Sequence, residues 1–139
     1  MPRPRLLLAD DHASMLECAI RLVADEFDVV STANDGRAAF DAAVVLQPDV
    51  VVFDISMPVM SGLEAATRLS ESSHPPRIVF LTVHEDPAFV EAAHEAGANA
   101  YVVKRRIATD LVPAIRRVLA GLTQFPPIPA DVDAGSPVR

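Results

Sequence analysis

The chain carries one cysteine, no long apolar run and no excess of positive charge, and each shortage closes off a class of function. Cys18 has no partner for an internal disulfide, so the fold has to stand on its core, and a reducing, cytoplasmic compartment is expected. No apolar stretch approaches the roughly 18 residues needed to cross a bilayer. Met1-Pro-Arg-Pro-Arg runs into Leu6-Leu-Leu-Ala9 and then Asp10, too short an apolar segment for a secretory leader. Twelve Lys and Arg stand against 19 Asp and Glu, and the net charge of −7 opposes nonspecific attraction to nucleic acid or to an anionic membrane. What remains is a chain of 139 residues, 50% hydrophobic and 22% charged, the size and composition of one globular domain. At that length about two-thirds of the surface of the unfolded chain can be buried without metal or disulfide staples.

Five short apolar, β-branched runs punctuate the chain: Leu6–Ala9, Val29-Val30, Val50–Phe53, Ile78–Leu81 and Tyr101–Val103. Most are continuous, as expected of strands buried on both faces of a parallel sheet. The segments between them have helical period and start signals. Ser14-x-x-Glu17 and Ser61-x-x-Glu64 fit capping boxes, and Asp86-Pro87 sets a cap acceptor before a proline that costs no donor in the first turn. The last helix has an apolar stripe of Leu111, Val112, Ile115, Val118, Leu119 and Leu122 opposite Arg116 and Arg117. Asp110 is its expected cap, which would place Pro113 harmlessly in the first turn.

The residues at the strand ends are Asp10, Thr32, Asp54, Thr82 and Lys104, spaced 22, 22, 28 and 22 residues apart. No leucine-rich repeat pattern accompanies that rhythm, so it reads as successive βα units. Right-handed crossovers then predict an α/β fold: a doubly wound, five-stranded parallel sheet in the flavodoxin-like order 2-1-3-4-5 with five helices and a ligand crevice at the carboxyl ends of the strands. The domain is expected over residues 1–123. Residues 124–139, with four prolines and no helical period, read as a flexible tail or the start of a linker.

Strand ends of a parallel sheet converge on one edge, so Asp10, Asp11 and Asp54 should meet Thr82 and Lys104 in one crevice. Three carboxylates that close repel one another unless a cation neutralises them. All-oxygen ligation without a His or Cys cluster points to Mg²⁺. A carboxylate beside that ion can attack phosphorus, and Asp54, on the central strand, is the best nucleophile candidate. Lys104 would hold a phosphoryl oxygen as a point charge and Thr82 would donate its hydroxyl to another.

Four motifs, Leu8-Ala-Asp-Asp-His12, Phe53-Asp-Ile-Ser-Met-Pro58 with Ser61-Gly-Leu-Glu64, Leu81-Thr82, and Gly97-Ala-Asn-Ala-Tyr-Val-Val-Lys104, resemble the response-regulator receiver domain of two-component signalling. The likeness runs from about Arg5 to Leu122. The fold it implies is the CheY-like one. Its texture is similar to the NarL/LuxR-type branch, whose members usually carry a C-terminal helix-turn-helix that this chain does not contain. The resemblance implies that Asp54 accepts phosphate from a sensor histidine kinase or a phosphotransfer protein. It implies that Asp11, Asp54 and the backbone carbonyl of Ser56 ligate Mg²⁺, with Asp10 helping through water. Thr82 and Tyr101 become the switch, Tyr101 following Thr82 inward and altering the surface of the fourth helix, fifth strand and fifth helix. Ser56 and His84 fall at positions that tune dephosphorylation. The implied protein is a switch with self-phosphorylation and autodephosphorylation chemistry, not a turnover enzyme; its partners include a second copy of the chain or an output domain, and this segment itself contacts neither nucleic acid nor membrane.

The family often has proline after the lysine; here Arg105 and Arg106 follow, which removes the usual support for a cis bond and points to an altered loop and partner face. Two other readings use the same residues. A phosphate-independent scaffold would not need Asp54. A Mg²⁺-dependent phosphohydrolase of the haloacid-dehalogenase type would need an Asp two residues past the nucleophile, where Ser56 stands. The remaining expectations are plain: Cys18 a small core residue on the first helix, His12 a surface or helix-start residue, and the basic group Lys104, Arg105, Arg106, Arg116 and Arg117 a solvated face or else a dimer or partner contact.

Overall fold

The five apolar runs become the five strands of one sheet. In a computed structural model that describes residues 2–126, the order is β1 (Arg5–Ala9), α1 (Ala13–Val23), β2 (Asp28–Ala33), α2 (Gly36–Leu46), β3 (Val50–Phe53), α3 (Gly62–Ser70), β4 (Arg77–Thr82), α4 (Pro87–Glu95), β5 (Ala100–Val103), a 3₁₀ turn (Lys104–Arg106) and α5 (Ile107–Leu119). All the strand pairs are parallel and the order is β2-β1-β3-β4-β5, as predicted.

Alternation along each strand builds two cores. Leu6, Leu8, Val50, Val52, Val79, Leu81 and Val102 face α1 and α5, where Ala19, Val23, Leu111, Ile115 and Val118 meet them. Leu7, Ala9, Val51, Phe53, Ile78, Phe80 and Tyr101 face the other way, onto α2, α3 and α4. The buried residues of those three helices are mainly small, Ala39, Ala43, Ala65, Ala66 and Ala93, so the buried aromatic rings of this layer come from the sheet. The Phe53 and Phe80 rings stack at 5.3 Å. No helix among the described residues is long and apolar enough to cross a membrane.

Several local expectations fail for identifiable reasons. Ser14 does not cap α1: the helix starts at Ala13, His12 occupies the cap position without a side-chain bond, and Ser14 lies inside the first turn. Asp110 does not cap α5 either, because the 3₁₀ turn after β5 runs straight into the helix at Ile107. Asp110 instead accepts from Arg106 (Nε to Oδ2, 2.9 Å), and Pro113 sits within the helix, where it has no N–H for the carbonyl four residues back. Leu122 lies beyond the helix and is 49% exposed, so the stripe ends at Leu119. Cys18 is half-buried against the α1 and α5 core and is a free thiol.

The segment assigned to a tail begins in register with the sheet. Gln124 forms a parallel bridge to β5, its N–H donating to Asn99 O (3.0 Å) and its carbonyl accepting from Tyr101 N–H (2.8 Å). Phe125 packs on the core and meets His94 edge-on at 4.9 Å. The rest of the expected tail, from residue 127, lies outside the described residues.

Candidate functional site

Four of the five strands deliver one buried polar side chain at their carboxyl ends. Asp10 follows β1, Asp54 follows β3, Thr82 ends β4 and Lys104 follows β5; these four are the buried polar and charged residues of the described chain. Burial without compensation would be costly, and none of them is left unpartnered. Lys104 Nζ lies 2.8 Å from Asp54 Oδ2 and 2.8 Å from Asp10 Oδ2, bridging two strands. Burial pushes the lysine toward its neutral form, but the bonds to Asp10 and Asp54 outweigh that, and its pKa is raised. It is therefore a fixed cation at neutral pH.

The other carboxylate oxygens are held more loosely. Asp54 Oδ1 accepts a 3.3 Å bond from the Ser56 N–H. Asp10 Oδ1 accepts the His12 N–H at 2.9 Å and faces His12 Nδ1 at 3.2 Å, and Asp11 Oδ1 stands 3.2 Å from the same nitrogen. Asp10, Asp11 and His12 thus offer ligand atoms within 4.8 Å of one another. Asp10 and Asp11 lie at this edge as predicted, and His12, expected at the surface or a helix start, is 69% exposed at the cap position of α1 and also sets its ring beside the acidic pair. Its adjacency to the acidic pair was the available signal.

The loop after Asp54 is shaped by a close approach. Gly62 opens α3 with its N–H bonded to Ile55 O (2.7 Å), and a Cβ there would run into the Asp54 carbonyl oxygen, so only glycine lets the helix start beneath the acceptor. Ser61 caps α3 by accepting the Glu64 N–H, as predicted. Between Asp54 and Ser61, Val59 takes a φ of 72°, an uncommon conformation for a β-branched residue, in a turn closed by Met60 N–H to Pro58 O.

Beyond β4 the chain is held at several points. Thr82, fully buried, accepts the His84 N–H on its Oγ1 (3.4 Å). The His84 ring reaches across to Ser56, Nε2 to Oγ at 3.2 Å, and stacks on Phe89 of α4. The His84 carbonyl accepts the Tyr101 hydroxyl at 2.7 Å. Tyr101 is only 3% exposed, and burial, reinforced by Asp54, Asp86 and Glu85, pushes its phenol up to about 12. The expectation was that this ring moves inward when the switch is thrown; here it already lies inside. Arg105 forms a two-bond pair with Glu85 (2.7 and 2.8 Å), tying the turn after β5 to the loop before α4. All peptide bonds of the described residues are trans, the one after Lys104 included.

The arrangement therefore offers a carboxylate with one oxygen anchored and one available, a buried ammonium beside it, a hydroxyl at the neighbouring strand end, and two further carboxylates facing the same opening. That set can receive an electrophilic, oxygen-rich group and hold its charge.

Comparison with known proteins places these features in a wider group. The model of the response regulator receiver domain family matches residues 6–116. The chain is 33% identical over 125 residues to the transcriptional regulatory protein LnrK of Bacillus subtilis, a match covering 88% of this chain and 57% of that one. It is 34% identical over 133 residues to the transcriptional regulatory protein PdtaR of Mycobacterium tuberculosis, covering 95% and 64%. It thus spans about six-tenths of the length of these relatives. Among solved structures, a LuxR-family two-component response regulator from Aurantimonas sp. SI85-9A1 superposes with a TM-score of 0.84 at 35% identity, over 90% of this chain and 91% of that one. The response regulator domain of Thermotoga maritima CheB does so with 0.79 at 27% identity, over 85% and 97%.

Proposed function

Because this chain belongs to the response regulator receiver domain family of two-component signalling, we propose that it is a phosphoacceptor switch. Asp54 takes a phosphoryl group from a sensor histidine kinase or a phosphotransfer protein. The observation that carries this reading is the pairing of Asp54 Oδ2 with the buried Lys104 ammonium at 2.8 Å, which anchors one carboxylate oxygen and leaves Oδ1 with a single long backbone bond. Oδ1 is accordingly the nucleophile. It attacks phosphorus, the bond from phosphorus to the donor nitrogen breaks with its electron pair leaving on the donor imidazole, and that imidazole takes up a proton. Lys104 then turns part of its bonding to a phosphoryl oxygen, and the Thr82 hydroxyl donates a hydrogen bond to another.

Asp10, Asp11, Asp54 and the backbone carbonyl of Ser56 are the groups that would hold Mg²⁺. The donors fit, being hard oxygens, and three carboxylates against one buried ammonium leave negative charge for a cation to neutralise. Bound there, the ion supplies positive charge to the phosphoryl oxygens.

Because Tyr101 is inside already, phosphorylation acts by pulling on Thr82 and, through its bond to the His84 N–H, on the loop that the Tyr101 hydroxyl and the Glu85–Arg105 pair hold. The readout is a change in the face formed by α4, β5 and α5, which alters binding to a second copy or to an output domain. The names of the relatives support an output in transcription. Ser56 and His84, bonded to each other at the rim, set how long the phosphate lasts. The chain performs self-modification and its reversal rather than turnover.

The test is intact mass after incubation with a small-molecule phosphodonor, with and without Mg²⁺. One phosphoryl adduct on the wild type that needs Mg²⁺ and disappears in Asp54→Asn is the expected result. Adduct formation undiminished in Asp54→Asn would refute the assignment.

A further inference from the structure

His84 is held from every side. Its N–H is spent on Thr82 and its carbonyl on Tyr101, leaving only the ring free to turn. The ring is fixed as well: Phe89 lies flat against it, centroids 4.1 Å apart and planes 14° from parallel, so Nε2 points at Ser56 Oγ. Phe89 is itself placed by the start of α4. Asp86 accepts the Ala88 N–H on its side chain and the Phe89 N–H on its carbonyl (2.9 Å), and Pro87 sets the first helical residue. Phe89 also lines the shallow groove that contains Asp11 and Ser56, at the rim of the acceptor site.

We propose that Phe89 is a positioning residue for phosphate lifetime: it holds the His84 ring in its bridge to Ser56, and that closed bridge shields the phosphoryl group on Asp54 from water. The inference rests on Asp54 being the phosphoacceptor. Hydrolysis requires water to attack phosphorus; the bond from phosphorus to the Asp54 oxygen breaks, the electron pair returns to the carboxylate, and the water loses a proton to solvent as inorganic phosphate departs. Ser56 stands two residues past Asp54 and His84 two past Thr82, so their bond joins the loops on either side of the opening. The bond engages His84 Nε2 and one bonding site of Ser56 Oγ, so those sites are not available to orient a water molecule. Without the stacked face the His84 ring is free to rotate and the bridge opens. Movement of α4 relative to β4 therefore changes phosphate lifetime through Phe89, linking the helix that reports the switch to the rate at which the switch resets.

The experiment follows loss of the phosphoryl group from Asp54 by intact mass after donor removal, with Mg²⁺ present. The proteins are the wild type, Phe89→Leu, Phe89→Tyr, His84→Ala and the double variant Phe89→Leu/His84→Ala. Phe89→Leu keeps apolar bulk without the flat face and should speed decay by about three- to ten-fold, while Phe89→Tyr, which can still stack, should restore the wild-type rate. In the His84→Ala background Phe89→Leu should change nothing further, a result a general packing defect would not give. In the unphosphorylated proteins, the upfield ring-current shift of the His84 ring protons should be lost in Phe89→Leu and kept in Phe89→Tyr. Wild-type decay in Phe89→Leu, or equal acceleration with and without His84, overturns the positioning role while leaving the acceptor intact. A wild type that accepts no phosphoryl group overturns both.

Discussion

Lys104 illustrates how a buried charge can be both a liability and a tool. It holds Asp10 and Asp54 at 2.8 Å each, and its removal leaves two nearly buried carboxylates facing each other without a counter-charge. Breaking such an arrangement costs about 3–5 kcal/mol. Lys104→Met should accordingly lower the urea midpoint at neutral pH; an unchanged midpoint would contradict the pairing. Tyr101 makes a second prediction with a defined sign. Its folded pKa, about 12, lies above the ordinary 10.0, so its contribution to stability is fully present below pH 10 and is lost as pH rises toward 12. The chain has one tyrosine and no tryptophan, so the phenolate absorbance reports this residue alone. The midpoint should lie near 12 in the folded protein and fall to about 10 in urea. Stability between those values should decline less steeply in Tyr101→Phe. That variant also forfeits the bond to the His84 carbonyl, a loss of about 1 kcal/mol at neutral pH.

The single bridge added at the sheet edge changes what β5 can do. In the order β2-β1-β3-β4-β5, β5 is an edge strand, and an open edge invites pairing with another chain. Gln124 covers that edge beside Tyr101, after which Pro126 has no N–H to continue the ladder. Phe125 anchors the cover through the core and His94. Phe125→Ala should cost about 1 kcal/mol, given a half-buried ring. It should also speed amide exchange at Tyr101, whose N–H donates to Gln124, while leaving exchange in β1 and β3 unchanged. Equal protection of the Tyr101 amide in both proteins would mean that the segment does not secure the edge. The helix ends teach a related lesson. Asp86 and Ser61 cap as their motifs predict, whereas Ser14 and Asp110 do not. A capping motif states only that a residue is able to cap. At α1 the chain leaves β1 through Asp10 and Asp11 and reaches helical geometry at Ala13, before Ser14 can serve; at α5 the 3₁₀ turn has already supplied the start.

Across the domain, the acidic balance and the clustering of Asp10, Asp11 and Asp54 predict that a divalent cation stabilises the fold by mass action. Mg²⁺ at about a hundred times its dissociation constant should add about 2.7 kcal/mol. The shift in urea midpoint should be absent in Asp11→Ala, whose carboxylate is exposed and meets only His12. An equal shift in both proteins would place the ion elsewhere. Strand positions, sheet order and the edge where Asp10, Asp54, Thr82 and Lys104 gather were all legible in the sequence. Parallel strands buried on both faces require unbroken apolar runs, and the residue after each run must emerge at the carboxyl end whatever the side-chain detail. What only the tertiary structure decided depends on distances between segments far apart in the chain. Nothing local to Gln124 states that its backbone lies beside Tyr101, and nothing local to His84 states that its ring bridges to Ser56 while Phe89 lies against it. The inward seat of Tyr101 is of the same kind, since it is set by a hydroxyl reaching a carbonyl 17 residues away. Local pattern determined which groups reach the crevice; three-dimensional packing decided which of them touch.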